Sequence, residues 1–207
     1  MRTILPALFL TAFTLFIGMT PALAQDAGSS AGDAERGRAL GDSCMGCHGI
    51  IGYRNAYPSY GVPKLAGQHP EYLYIALQGY KNKTRTHETM HAQAVTLTDQ
   101  ELRDLIAYLS GSAPLKTGSA VDGPGKQKAV SCVACHGEGG ISQMPNWPIL
   151  AGQNVDYIEH ALHQYKNGER KDPIMGAQVA ALSDADIRAL ASYFAAQPGL
   201  QTAAYKK

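Results

Sequence analysis

The tightest constraint on this chain is a five-residue pattern that occurs twice, Cys44-Met45-Gly46-Cys47-His48 and Cys132-Val133-Ala134-Cys135-His136. Together the two copies use all 4 cysteines of the 207 residues. Two thiols three positions apart, followed at once by an imidazole, form the pattern for covalent haem attachment. The thiols add across the vinyl groups, and the histidine takes one axial face of the iron. A redox dithiol or half of a zinc site would account for Cys-x-x-Cys, but neither accounts for a histidine directly after both copies. The sequence therefore predicts two covalently bound c-type haems, held by Cys44, Cys47, Cys132 and Cys135 and ligated by His48 and His136.

The first residues name a compartment. Arg2 supplies a positive start, positions 5–19 are almost wholly apolar, and Ala22-Leu23-Ala24 is a small-x-small cleavage site. The apolar run falls short of the roughly 20 residues that a membrane-spanning helix needs. Residues 1–24 thus read as a signal peptide cleaved near Ala24, which predicts a periplasmic protein. Free thiols tend to oxidise there, and haem attachment would consume them.

An internal repeat sets the domain organisation. Leu65-Ala66-Gly67-Gln68 returns 85 positions later as Leu150-Ala151-Gly152-Gln153, and Met90-His91-Ala92-Gln93 returns at the same spacing as Met175-Gly176-Ala177-Gln178. The haem motifs are 88 apart, so the first copy has extra loop residues between its histidine and Leu65. A Gly/Ser/Pro-rich stretch around 111–119 separates the copies. The expected division is 25–113 for a first domain, 114–120 for a linker and 121–207 for a second. Each unit reads as all-α, with helices over 33–43, 70–81 and 98–110 in the first copy. Thr98 and Glu101 form a capping-box signature. Leu102, Leu105, Ile106 and Leu109 make an apolar stripe, repeated as Ile187, Leu190, Ala191 and Phe194 after a Ser183 N-cap. Units this small have little core of their own, and a tethered macrocycle would supply the missing volume.

The second axial face of each iron needs its own ligand. Met90 and Met175 occupy matching positions, each seven residues before the leucine that precedes the last helix. A thioether favours ferrous iron and raises the potential relative to a second histidine. Met45 and Met144 have no counterpart in the other repeat, and a methionine alone is ordinarily core filler. His87 and His91 flank Met90, but Pro173-Ile174-Met175-Gly176 has no histidine. His69, His160 and His163 are likewise unmatched and read as solvated or packed.

Taken together, the doubled motif, the stretches Pro63-Lys64-Leu65-Ala66-Gly67-Gln68 and Pro148-Ile149-Leu150-Ala151-Gly152-Gln153, and the methionine before each Leu-Ser/Thr-Asp resemble the dihaem cytochromes c4. That resemblance implies a tandem duplication of a class I cytochrome c domain, each copy wrapped around one haem. It also implies that the carbonyls of Pro63 and Pro148 accept a hydrogen bond from the proximal histidines, which would fix ring orientation and tautomer; the other reading is that these prolines only rigidify a loop. An iron with all six positions filled leaves no place for substrate, so the expected role is one-electron transfer and not enzyme catalysis. The resemblance implies a quinol-oxidising complex and a terminal oxidase as partners, met in transient docking to membrane complexes. The alternative is a dihaem subunit of a flavocytochrome-type sulfide dehydrogenase. A net charge of +1 with no basic run excludes a nucleic-acid footprint.

The loop 49–60 departs from a plain repeat, carrying Arg54 and three tyrosines. Either Arg54 or a tyrosine hydroxyl binds a propionate or lines the contact between domains, or the loop packs its aromatic bodies on the ring. Trp147 in the counterpart loop reads as haem-packing. Tyr80 and Tyr165 read as helix-end packing, Lys81 and Lys166 as solvated charge, and Asn82 and Asn167 as C-caps.

Overall fold

The computed structural model describes residues 31–205; the signal peptide expected at 1–24 lies outside them. The first repeat runs α1 (Ala34–Leu40), α2 (Asp42–His48), a small antiparallel hairpin of β1 (Arg54–Asn55) and β2 (Tyr60–Gly61), then α3 (Pro70–Lys81), α4 (Glu88–Val95) and α5 (Asp99–Gly111). The second runs α6 (Val130–His136), a tight helical turn at Glu138–Gly140, α7 (Val155–Asn167), α8 (Pro173–Val179) and α9 (Asp184–Ala195).

Local signals place these elements. The Asp33 carboxylate accepts the N–H groups of Glu35 and Arg36 and starts α1. Pro70 occupies the first turn of α3, where its missing N–H costs nothing. Reciprocal capping boxes start the last helix of each repeat, Thr98 with Glu101 and Ser183 with Asp186. The stripes on α5 and α9 are buried, including Leu102, Leu105, Ile187 and Leu190. Against them crosses the segment that leads into each haem motif. A Cβ on Gly37 would stand 1.9 Å from the Asp104 carbonyl oxygen, and one on Gly125 would stand 2.2 Å from that of Ala189. Residues 104 and 189 are repeat equivalents, so both crossings are backbone against backbone and hold each Cys-x-x-Cys-His helix over its core.

Two helices were not anticipated. α4 and α8 bury only Ala94 and Val179 respectively, so neither shows an apolar stripe. Asp172 capping a helix that opens on Pro173 was nevertheless a readable start signal. Of the two expected C-caps, Asn82 ends α3, but Asn167 is the last residue of α7 and the left-handed Gly168 (φ 80°) takes the cap, at no steric cost.

The repeats meet across an approximately two-fold seam. Gln68 Nε2 donates to the Ile149 carbonyl and its Oε1 accepts the Ile149 N–H, both at 2.9 Å. Gln153, the equivalent of Gln68, treats Lys64, the equivalent of Ile149, in the same way at 3.0 and 2.9 Å. The chain end returns to the first repeat: Gln201 bridges Ala66, and the Ala203 N–H donates to the His48 carbonyl at 3.1 Å. Residues 112–120 have no regular structure, yet they are anchored, with the Lys116 N–H on the Gly199 carbonyl and Leu115 packed beside Ile149, Ala151 and Leu200.

Candidate haem centres

Helix α2 sets Cys44 and Cys47 one turn apart on one face, and α6 does the same for Cys132 and Cys135. All four thiols are free and half-buried. Burial pushes the Cys44 and Cys132 thiols up, so they stand as protonated thiols on an apolar wall.

His48 and His136 close these helices and are buried. His48 Nδ1 lies 2.8 Å from the Pro63 carbonyl oxygen, and His136 Nδ1 lies 2.9 Å from that of Pro148. A carbonyl only accepts, so each Nδ1 carries the ring proton and donates it. Each Nε2 is left with its lone pair. Burial pushes both imidazoles down in pKa, keeping them neutral. A neutral ring of fixed tautomer, braced at one nitrogen and open at the other, is what an axial ligand requires.

Met90 sits in the first turn of α4, its N–H donated to His87 Nδ1 at 3.3 Å, and Met175 sits in the first turn of α8, its N–H donated to the Asp172 carboxylate at 2.9 Å. Both are half-buried, three residues past an N-cap that sets their height on the helix. The unmatched methionines fare differently. Met45 is buried at 1 % exposure among Tyr108, Leu109 and Ala203, and Met144 is 53 % exposed. His87 caps α4 and packs edge-on to Tyr60 and Tyr80, while His91 Nδ1 bonds the Tyr80 carbonyl at 2.9 Å.

Two free thiols and one neutral, buried imidazole in each repeat make a soft, low-charge donor set suited to a covalently tethered porphyrin iron. The residues present fit that group twice.

Several side chains act in ways that sequence reasoning left open or did not assign. Arg54 pairs with Asp156 of the other repeat at 2.8 Å, so of its readings the domain contact is the one seen. Tyr60 stacks on His160 with ring centroids 4.2 Å apart, whereas Tyr57 is 95 % exposed and packs on nothing. His69 Nε2 donates to the Ser142 carbonyl at 2.9 Å, again across the seam. Lys81 and Lys166 are tethers and not merely solvated charge: their ammonium groups donate to the Leu97 and Leu182 carbonyls, tying α3 and α7 to the turn before the last helix of each repeat. The signal that could have found them is the repeat itself, because both lysine and carbonyl recur at the same spacing.

A family model described as cytochrome c matches residues 34–113, and one described as subunit III of cbb3-type cytochrome c oxidase matches residues 122–194. Cytochrome c4 of Thiocapsa roseopersicina is 36% identical over 188 residues, covering 82% of this chain and 95% of that protein. A thiosulfate dehydrogenase electron acceptor of Thiomonas intermedia is 32% identical over 173 residues, covering 75% of this chain and 79% of that protein. The crystal structure of reduced cytochrome c4 from Pseudomonas stutzeri superposes with a TM-score of 0.67 at 30% identity, covering 81% of this chain and 100% of that one.

Proposed function

Because this chain belongs to the dihaem cytochrome c4 family, we propose that it is a periplasmic carrier of single electrons, loaded by a quinol-oxidising complex and unloaded by a terminal oxidase. It is an electron-transfer protein with two cytochrome c domains and two covalently bound haems. When bound, the haem supplies one-electron exchange between ferric and ferrous iron at a potential set by its axial ligands. The rest is the work of the chain. Cys44 and Cys47 tether one macrocycle, Cys132 and Cys135 the other. His48 with Met90, and His136 with Met175, would ligate the two irons and would leave no position for substrate. Pro63 and Pro148 keep each imidazole in one tautomer and orientation whatever the charge on the metal, which limits reorganisation.

The observation that carries this reading is the twin histidine geometry, Nδ1 committed to a proline carbonyl in both repeats at 2.8 and 2.9 Å. The near-balanced charge of +1 suits weak, quickly reversed docking. Among the described residues no helix is long and apolar enough to cross a membrane. A second donor is favoured by one observation, that a relative is named for accepting electrons from thiosulfate dehydrogenase; on that reading the donor changes while the carrier chemistry stays.

An optical redox titration of the purified holoprotein tests the proposal. It should take up two electrons per chain in one-electron steps, show the near-infrared methionine-to-iron band, and leave the native reduced protein slow to bind carbon monoxide. Rapid carbon monoxide binding would mean an open metal position and would overturn the carrier assignment. Stopped-flow mixing with a quinol-oxidising complex or with a thiosulfate dehydrogenase then decides the donor.

A further inference from the structure

Helix α4, which carries Met90, has almost no core of its own to place it. Only Ala94 is buried, so its position rests on its cap and on the bond from His91 to the Tyr80 carbonyl. The cap is His87, whose Nδ1 accepts the Met90 N–H at 3.3 Å and so keeps a lone pair on that nitrogen. The His87 ring meets two tyrosines edge-on, Tyr80 at 6.3 Å and Tyr60 at 6.5 Å between centroids, within the range in which aromatic pairs attract. Tyr80 belongs to α3, in the same repeat. Tyr60 belongs to the hairpin.

Tyr60 is 5 % exposed and touches both repeats. Its ring stacks on His160 of α7 with centroids 4.2 Å apart and planes 18° from parallel, and lies 6.2 Å from Tyr157 on the same helix. The hairpin that presents it is pinned to the start of α7. Arg54 pairs with Asp156 at 2.8 Å, and the Asn154 side chain donates to the Val62 carbonyl just past β2 at 2.8 Å. A line of contacts thus runs from the second repeat through Tyr60 and His87 to the backbone of Met90. Among the described residues the second repeat shows no such line. Position 172, equivalent to His87, is an exposed aspartate whose carboxylate caps α8, and position 75, equivalent to His160, is an isoleucine at 47 % exposure.

We propose that Tyr60 is a positioning residue for the axial methionine of the first repeat: seated on His160 of the second repeat, it holds His87, and through His87 the first turn of α4, where Met90 can ligate iron. This rests on the haem reading above. Without the Tyr60 ring, His87 turns away from the Met90 N–H and the first turn of α4 frays, because that donor has no partner inside the helix. The thioether's hold on the metal then weakens. Since a thioether favours ferrous iron, the potential of the first haem falls. Asp172 keeps its bond to the Met175 N–H whatever happens at Tyr60. A displacement of the second repeat against the first is therefore felt at Met90 and not at Met175.

The test uses the holoprotein with its methionine methyls labelled for NMR. In the reduced, diamagnetic wild type the methyls of Met90 and Met175 should both be shifted by the porphyrin ring current; an unshifted Met90 overturns the ligand assignment and this proposal with it. With both ligated, Tyr60→Leu should move the Met90 methyl, weaken the near-infrared band and lower one midpoint by about tenfold in the reduction equilibrium, about 59 mV for one electron. The Met175 methyl should stay in place. Tyr60→Phe keeps the ring and should leave all of these at wild-type values. His160→Ala leaves the first repeat's own sequence intact and should move the Met90 methyl and the same midpoint in the same direction, and His160→Phe, which restores a ring to the stack, should return them. Urea unfolding separates positioning from packing. If Tyr60→Leu and His160→Ala lose stability while the Met90 methyl, the band and both midpoints keep their wild-type values, Tyr60 is packing alone, and the proposal is overturned while the carrier reading stands. A Met175 methyl that moves as far as that of Met90 overturns it as well.

Discussion

Replacing Gln68 by alanine should destabilise the seam more than replacing Gln153, although the two glutamines make matching bonds. Each side-chain amide donates to one backbone carbonyl of the other repeat and accepts the N–H of the same residue, at 2.9 and 2.9 Å for Gln68 and at 3.0 and 2.9 Å for Gln153. The lost side-chain volume is the same in both variants, so it cancels. What differs is the backbone left behind. Ile149, served by Gln68, is 3 % exposed, and its N–H and C=O would be stranded away from water. Stranding costs about 1–3 kcal/mol for each group, so Gln68→Ala should lose about 2–6 kcal/mol. Lys64, served by Gln153, is half-buried, and solvent can reach its backbone. There the two bonds count at their net worth of about 0.5–1.5 kcal/mol each, or about 1–3 kcal/mol for Gln153→Ala. Urea unfolding of the holoproteins, followed by circular dichroism at matched haem content, measures both. Equal losses, or a larger one for Gln153→Ala, would refute the argument that stranded Ile149 groups set the cost.

Other perturbations address the sites and the core. Met90→Ala and Met175→Ala should each remove one of two comparable contributions to the near-infrared charge-transfer band and lower one midpoint; loss of a band in Met144→Ala with both intact in Met175→Ala would sink the repeat-based assignment. Hydrogen bonding to Arg36, with further donors from the Asp33 N–H and Gln100, holds the Asp104 carboxyl at about 2 against an ordinary 3.8. A lowered folded-state pKa gives stability that is whole above the unfolded value and is lost as pH falls through the folded one. Discounted for the exposure of Arg36, it amounts to about 1–2 kcal/mol. Asp104→Asn should therefore flatten the acid limb between about pH 4 and pH 2, and an unchanged limb in acid titrations of stability would count against the pairing. Gly37→Ala drives a methyl into the Asp104 carbonyl and should cost about 3 kcal/mol or more in thermal or urea unfolding. Gly46→Ala, with nothing within 4 Å of its Cβ and alanine already at the matching position 134, should stabilise by about 0.5–1 kcal/mol. The reverse order of those two would refute the packing account.

Short-range chemistry carried the haem motifs, the capping boxes and the stripes of α5 and α9, because spacing and turn residues act over a few positions and are visible in a line of sequence. α4 and α8 escaped because each buries one side chain, so periodicity had nothing to report. The seam escaped for a different reason. Gln68, Gln153, Arg85 and Arg170 look like ordinary surface residues until the repeats are folded against each other. Yet duplication itself contains the rule that would have found them. When two copies pack about a two-fold axis, a residue near that axis meets its own equivalent, as Arg85 meets Arg170. An amide tolerates such symmetry, since it both donates and accepts and can serve the partner's backbone while the partner serves its own. A guanidinium does not, because it meets a second positive charge and carries no acceptor. The two arginines turn instead to neighbouring rings, Arg85 over Tyr72 and Arg170 over Tyr157 and Tyr165, so the tyrosines of each repeat are as much a part of that contact as its cations.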